Sequence, residues 1–162
     1  MGIDRGNADY RGFQFLSEPQ VEKRQNDTSG SVHVGFAGKY KVRWDYNPDT
    51  NRYSRYWGGA LATDRSTGQP VTTKNIIVFK AESNNIQDDN GTTYNTLNMY
   101  GSGDAWVYKN GREVKATWQK KNERRSFVIR KRDTDEEMKL TPGTTFIQVI
   151  EPYQEVRWEP EE

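Results

Sequence analysis

Apolar and polar residues alternate with a period of two along several short segments of the chain. Val32, Val34 and Phe36 alternate with polar or small residues, and the pattern returns at 40–44 after a short turn. A period of two is typical of a strand with one buried face, whereas a helix repeats every 3.6 residues. The pattern therefore predicts an antiparallel hairpin here, followed by a further alternating strand at 53–57.

Two features inside this pattern identify specific elements. The segment at 76–79 is continuously apolar and is bounded by polar residues. Such a run is typical of a strand covered on both faces, so we expect it to be the central strand. Asn110 and Gly111 separate alternating segments at 105–108 and 114–118. Both residue types adopt positive φ angles readily, as a type I′ turn requires, which predicts a tight hairpin.

The whole pattern predicts a mostly β fold. About nine short strands with frequent turns indicate an antiparallel sandwich or a partly open barrel, with at most one or two short helices. We divide the chain into a polar N-terminal segment at 1–30, a β domain at 31–150 and an acidic C-terminal tail at 151–162.

The two ends of the chain carry weaker patterns. In the N-terminal segment, 13–15 is a possible short strand, and Ser17 followed by Pro19 predicts a short helix running to residue 25. The acidic tail is expected to trail across the surface, pinned by Trp158.

Composition and charge narrow the classes of function. The chain has 24 Lys and Arg against 23 Asp and Glu, a formal net charge of +1. This balance produces no overall field that would attract nucleic acid or an anionic membrane. The absence of cysteine excludes disulfides and thiolate metal sites. Hydrophobic residues make up 32% of the chain and aromatic residues 12%, so we expect a core built on Trp, Tyr, Phe and Val.

Metal binding and catalysis find little support. Acidic and amide residues alternate from Asp45 as in a calcium loop, but Thr50 replaces the required Gly and Tyr56 the required Glu. The single histidine, His33, lies on the polar phase of its strand, which favours a solvated residue. The segment at 101–103 is interpreted as a bend between strands. We predict no metal, no cofactor and no catalytic residue, with a carboxylate-dependent enzyme acting on cell-wall glycan or peptide as the alternative.

A basic cluster gives a further alternative. Lysines and arginines at 120–132 lie near Trp118 and Phe127, a mixture that single-strand nucleic-acid binders use. The acidic residues at 133–137 follow at once and neutralise this charge. A charge-laced hairpin face is therefore the favoured interpretation, and weak nucleic-acid binding is the lesser one.

An alternating strand supplies the candidate binding site. Tyr53, Arg55 and Trp57 share one face; if buried they are core, and if exposed they form a recognition patch, because Trp, Tyr and Arg dominate binding hot spots. In such a patch Arg55 gives a bidentate donor, while Asp64 orients Arg55 or caps the turn at Gly68. The full set of candidate residues is Tyr53, Arg55, Trp57, Asp64, Asn75, Trp106, Trp118 and Lys120.

Eight short motifs occur in a fixed order between residues 13 and 150. They are Trp44-Asp45-Tyr46, Tyr53-Ser54-Arg55, Asp64-Arg65-Ser66-Thr67-Gly68, Asn75-Ile76-Ile77-Val78, Gly101-Ser102-Gly103-Asp104-Ala105, Asn110-Gly111, Thr117-Trp118-Gln119-Lys120 and Leu140-Thr141-Pro142-Gly143-Thr144-Thr145-Phe146-Ile147. In this order they resemble the C-terminal domain of the YerB-like lipoproteins, a domain of unknown function found mainly in Gram-positive bacteria.

The resemblance implies a β-rich domain outside the cytoplasm, tethered to the membrane through a lipidated cysteine upstream and accompanied by an N-terminal domain. The family has no established catalytic residues, so none is carried over. Its members often have His two residues before the position of Asp64, where this chain has Ala62. We therefore expect a non-catalytic interaction module of the cell envelope, whose partner is a wall-synthesis protein or the peptidoglycan itself, and not nucleic acid.

Overall fold

The computed structural model describes residues 11–20 and 29–161, and within these ranges the chain is mostly β, as predicted. One three-residue 3-10 helix, Gly38–Tyr40, is the only helical element among them. The strands are β1 (Gln14–Phe15), β2 (Gly30–Val34), β3 (Val42–Asn47), β4 (Arg52–Trp57), β5 (Ala60–Leu61), β6 (Thr72–Thr73), β7 (Asn75–Lys80), β8 (Ser83–Gln87), β9 (Thr93–Leu97), β10 (Gly101–Lys109), β11 (Arg112–Lys120), β12 (Val128–Lys131), β13 (Lys139–Leu140), β14 (Thr145–Ile150) and β15 (Val156–Pro160).

Two sheets face each other and form the predicted sandwich. The first has the order β15-β2-β3-β4-β5, with β6 also paired to β4, and the second has the order β12-β11-β10-β7-β14. Aromatic side chains join the sheets, since the Trp44 ring meets Phe146 at 4.8 Å and Tyr108 stacks on Trp158 at 6.4 Å. Every pair in the two sheets is antiparallel except β7 with β14, which run parallel.

Strand β7 is the central strand, as its apolar run predicted. It lies between β10 and β14, and Ile76 to Phe79 are fully buried. Ile76 and Val78 pack into the core between the two sheets, whereas Ile77 and Phe79 pack into a second core on the other face. Leu140 of β13 and the ring of Phe127 help to cover that second face. Two covered faces explain why this strand has no polar phase.

The hairpin between β10 and β11 turns on Asn110 and Gly111, as predicted. Their φ angles are 53° and 71°, the positive values of a type I′ turn. The Asn110 side chain also accepts hydrogen bonds of 2.9 Å from Asn51 and Thr141, while the Gly111 amide donates to the Tyr53 hydroxyl at 3.0 Å. The turn is therefore tied to both sheets.

Two segments differ from the sequence expectation. The bend expected at 101–103 is instead the beginning of β10, where Gly103 faces Trp118 of β11. The expected trailing tail contains strand β15, which pairs with β2 and sets Trp158 against Tyr108. Trp158 therefore pins this segment as expected, but as part of the sheet.

The N-terminal expectations are met only in part. Gln14 and Phe15 form the short strand β1, which pairs in parallel with β13. Residues 17–20 have no helical structure, and the remainder of the expected helix lies outside the described residues. Among the described strands, β8 and β9 pair only with each other, and most of their side chains are exposed.

Candidate functional site

The three candidate residues of β4 share the inner face of the first sheet but differ in burial. Tyr53 is fully buried and packs against Tyr46, with ring centroids 4.9 Å apart. Arg55 is half-buried, and the side chain of Trp57 is 52% exposed. This strand therefore runs from the core to the rim of the sandwich, so the three residues do not form one continuous surface patch.

Arg55 lies among three aromatic rings at the rim. The central carbon of its guanidinium group is 5.2 Å from the ring centroid of Trp57, 5.4 Å from that of Phe146 and 5.9 Å from that of Trp44. These are cation–π distances. We call Arg55, Trp57 and Phe146 the Arg55 rim.

The Arg55 guanidinium group has an unused hydrogen-bond donor. Its Nε is buried and, in the part of the chain that the structure describes, has no hydrogen-bond partner. Burial lowers the pKa of Arg55, but an arginine side chain keeps its proton in proteins. The rings thus hold a cation that no carboxylate of the described residues neutralises at hydrogen-bond distance.

Phe146 completes the rim from the second sheet, and sequence reasoning missed it. It belongs to β14, where Gln148, two residues on, accepts a 2.8 Å hydrogen bond from the Trp44 indole. Phe146, Gln148 and Ile150 share the inward phase of this strand, which the alternation of the sequence contains. The contact between Phe146 and Arg55 arises because the two sheets stack, and the alternation within one strand does not specify how sheets stack.

Asp64 lies in the loop between β5 and β6, where its carboxylate caps a turn. It accepts hydrogen bonds from the amides of Ser66 at 3.0 Å and Thr67 at 2.8 Å, and from the Thr67 hydroxyl at 2.9 Å. The hydrogen bonds from Thr67, foremost, and from Ser66 lower the pKa of Asp64. This geometry fits the predicted capping role, in a turn that also contains Gly68 with φ of 70°.

The four remaining candidate residues lie apart from the rim. Asn75 is buried and makes two hydrogen bonds to the main chain of Thr141. The buried Trp118 donates to the Lys80 carbonyl at 2.8 Å, in the core on the far face of the second sheet. Trp106 packs against the other core, between the sheets. Lys120 donates to the Arg125 carbonyl at 2.9 Å.

The outer face of the first sheet carries a cleft of about 480 Å³. One cross-strand row lines it, running from Arg157 through His33 and Arg43 to Tyr56. Arg43 bonds Asp45 at 2.8 Å and lies 4.4 Å from the Tyr56 ring. His33 Nε2 lies 2.8 Å from a carboxylate oxygen of Glu159. The basic groups of this row are thus paired with the neighbouring carboxylates of Asp45 and Glu159, as on a solvated sheet face.

Several acidic side chains have shifted pKa values, all in the same direction. Hydrogen bonds lower the pKa of Asp64, Asp88, Glu136 and Glu151, whereas a general acid working near neutral pH needs a raised value.

Over the described ranges no cluster of His, Asp and Glu could hold a metal ion. No described helix is long and apolar enough to cross a membrane.

Comparison with known proteins supports the resemblance found in the sequence. A family model for the C-terminal domain of a protein of unknown function, DUF3048, matches residues 32–147. The chain belongs to this family. The DUF3048 match runs from within β2 to the first half of β14, and so includes both sides of the Arg55 rim.

This chain is also similar to the YerB protein of Bacillus subtilis, both in sequence and in structure. The family predicted from the sequence is confirmed. A protein of strain 168 named "Putative lipoprotein YerB" is 27% identical over 109 residues, which cover 67% of this chain and 31% of that protein. The crystal structure of the YerB protein matches with a TM-score of 0.64 and 21% identity, over 85% of this chain and 43% of the other. At that identity the match shows a shared fold. This chain spans about a third of the length of the lipoprotein.

Proposed function

We propose that this chain is a non-catalytic binding domain that acts outside the cytoplasm at the bacterial cell envelope. In the full-length protein an upstream lipidated cysteine anchors it to the membrane, and its ligand is a wall-synthesis protein or the wall polymer. Membership of the DUF3048 family and similarity to a protein named as a lipoprotein support this location. The family description names no activity.

The Arg55 rim is the observation that carries the proposal. A guanidinium group held by ring faces is pre-oriented, so little side-chain freedom is lost when it binds an acceptor. Beside it, the half-exposed indole of Trp57 offers a flat apolar surface. Arginine and tryptophan in contact are the typical composition of a binding hot spot.

The rim selects a ligand that combines two features. A carboxylate or a similar planar acceptor can take both donors of one edge of a guanidinium group. An apolar or sugar face can lie on the Trp57 indole. Wall stem peptides, wall sugars and acidic segments of envelope proteins all carry such groups, so the experiment below separates polymer from protein.

Co-sedimentation with purified cell-wall sacculi tests the proposal. We expect the wild-type chain to sediment with sacculi and Trp57→Ala to remain in solution. Tyr94→Ala is the matched control, because Tyr94 is 51% exposed but lies on the separate β8–β9 hairpin. Circular dichroism checks that both variants fold. If Trp57→Ala and Tyr94→Ala sediment equally well, the rim does not bind the wall; if neither variant nor wild type sediments, the ligand is an envelope protein and not the polymer.

A further inference from the structure

The five-stranded sheet has one edge that is covered and one that is open. At β12 the chain folds back along the outer side: the Lys131 amide donates to the Glu136 carbonyl at 2.9 Å, and the Met138 amide donates to the Ile129 carbonyl at 2.7 Å. At the opposite edge, β14 pairs with β7 on its inner side. Along residues 11–20 and 29–161 no strand pairs with its outer side.

The open edge presents a regular set of main-chain groups. The Thr144 carbonyl accepts from the Asn75 amide, and the Ile150 carbonyl accepts from the Ala81 amide, so both point toward β7. Main-chain groups alternate in direction along a strand. The N–H and C=O groups of Thr145, Ile147 and Val149 therefore point away from the sheet, and none has a main-chain partner among the described residues.

Strand β14 also lacks the features that usually protect an edge. Its sequence has no charged residue and no proline, its pairing with β7 is continuous over six residues, and Ile147 is 42% exposed. Native edges are usually blunted by lysine, proline, bulges or short length. The edges of the first sheet show such devices, because β15 contains two charged residues and Pro160, and β5 has only two residues.

A positive charge lies beside this edge. The Arg55 guanidinium carbon is 5.4 Å from the ring centroid of Phe146, near the beginning of β14. Arg55 makes no ion pair within the described part of the chain. Among the described residues, an edge of free main-chain groups therefore lies next to a cation without a counterion, and the same partner can satisfy both.

We propose that the open edge of β14 is a site for β-augmentation, in which an extended segment of a partner protein adds as a further strand and places a carboxylate on Arg55. The inference rests on the proposed binding function and deepens it, because it names an extended acidic peptide as the ligand. In this mode the main-chain hydrogen bonds supply affinity and alternate side chains supply specificity. In the added strand, the carboxylate is on one of the alternate side chains that face the first sheet, the side on which Arg55 and Phe146 lie.

Charge favours a partner protein over a second copy of this chain. Two copies that paired through β14 would bring two Arg55 side chains to one interface, and Glu151, the carboxylate that follows β14, already accepts hydrogen bonds from Ser83 and Tyr153. An acidic segment neutralises the charge instead, and complementary charges guide the choice of partner.

Hydrogen exchange followed by NMR tests the open edge in the free chain. We expect the amides of Thr145, Ile147 and Val149 to exchange rapidly, because they face solvent. The amides of Phe146, Gln148 and Ile150 should exchange slowly, because they face β7. Slow exchange of the first set in the monomeric chain would overturn the inference.

Selection from a phage library of random dodecapeptides tests the ligand. We expect the selected peptides to alternate apolar residues and to carry one acidic residue. Replacing that acid with its amide, or introducing Arg55→Gln, should weaken binding about tenfold, equivalent to about 1.4 kcal/mol. The two changes together should weaken binding no more than either alone. Peptides without an acidic residue, or a library that yields no binder, would contradict the inference.

Substitutions of Ile147 test the main-chain contact separately. Ile147→Pro replaces the outward amide with a ring nitrogen that cannot donate and should abolish peptide binding, whereas Ile147→Val keeps the amide and should bind like wild type. Slow exchange of the amides of β7 confirms that each variant folds. A dimer in which the β14 amides become protected without peptide would instead identify a second copy as the occupant. Sacculi binding that is lost in Trp57→Ala but kept in Ile147→Pro would preserve the proposed function and overturn the strand site.

Discussion

At Gly111 the main chain passes so close to the ring of Tyr46 that no side chain fits. A Cβ placed there would lie 2.5 Å from the nearest ring carbon, and the φ angle is 71°. Gly103 is required for a different reason: its φ is not positive, but a Cβ would lie 2.6 Å from the indole nitrogen of Trp118. An Asn-Gly pair in the sequence identifies a turn glycine such as Gly111. Nothing local identifies Gly103, because the indole comes from the neighbouring strand.

The substitution Gly111→Ala should lower the free energy of unfolding by about 2–3 kcal/mol, since it adds a steric clash to a strained φ angle. Gly91→Ala is the control. Its φ is 81°, but the nearest atom to a new Cβ is 3.8 Å away, so only the backbone penalty of about 1 kcal/mol applies. Urea unfolding of both variants measures the difference. Equal losses in the two variants would mean that the Tyr46 ring moves aside without penalty.

The candidate site was predictable where its residues share one strand. The phase of β4 alone placed Tyr53, Arg55 and Trp57 on one face, and the structure agrees. The change from core to rim along that face depends on where the opposite sheet ends. For the same reason Phe146, about ninety residues further along the chain, could not be joined to Arg55 from the sequence.

At the level of elements, strands with strong local patterns were predicted and those with mixed patterns were not. The apolar run of β7 and the turn between β10 and β11 were found because a short window contains the whole pattern. The glycines at the beginning of β10 resembled a bend, since glycine is rare in strands. The acidic composition around β15 outweighed the alternation of Val156 and Trp158, both of which pack against the core.

A buried amide joins the beginning of β7 to the loop that precedes β14. Asn75 donates to the Thr141 carbonyl at 2.8 Å and accepts from the Thr141 amide at 2.9 Å. Asn75→Ala should lower the free energy of unfolding by about 2–4 kcal/mol, because two buried main-chain groups lose their partner. The control, Asn98→Ala, removes an exposed hydrogen bond to the Tyr100 amide and should change stability by less than about 0.5 kcal/mol. Similar losses of unfolding free energy for the two variants in urea would show that the Asn75 hydrogen bonds to Thr141 do not stabilise the fold.

At the scale of the whole molecule, the last strand of the chain completes the first sheet. Strand β15 pairs with β2 over five residues and places Trp158 on Tyr108, across the space between the sheets. It also encloses His33 on the outer face. Burial, followed by the nearby charge of Arg157, lowers the pKa of His33, whereas Glu159 opposes this shift. His33 therefore reports whether β15 is in place.

A chain shortened to end at Tyr153 tests this closure. It should lose about 3 kcal/mol or more of stability with the Trp158 packing, and the pKa of its single histidine should rise toward 6.5, since β15 supplies both burial and Arg157. The lowered pKa in the intact chain means that the unfolded state binds the proton more tightly, so stability rises as the pH increases through 6.5 and falls below it. Arg43 and Asp45 of β3 still face His33 after the truncation and act in opposite directions. NMR titration of His33 measures the pKa and urea unfolding measures the stability, each against a chain that ends at Pro160 and keeps β15. A histidine that titrates identically in the two chains would show that β15 does not close the sheet.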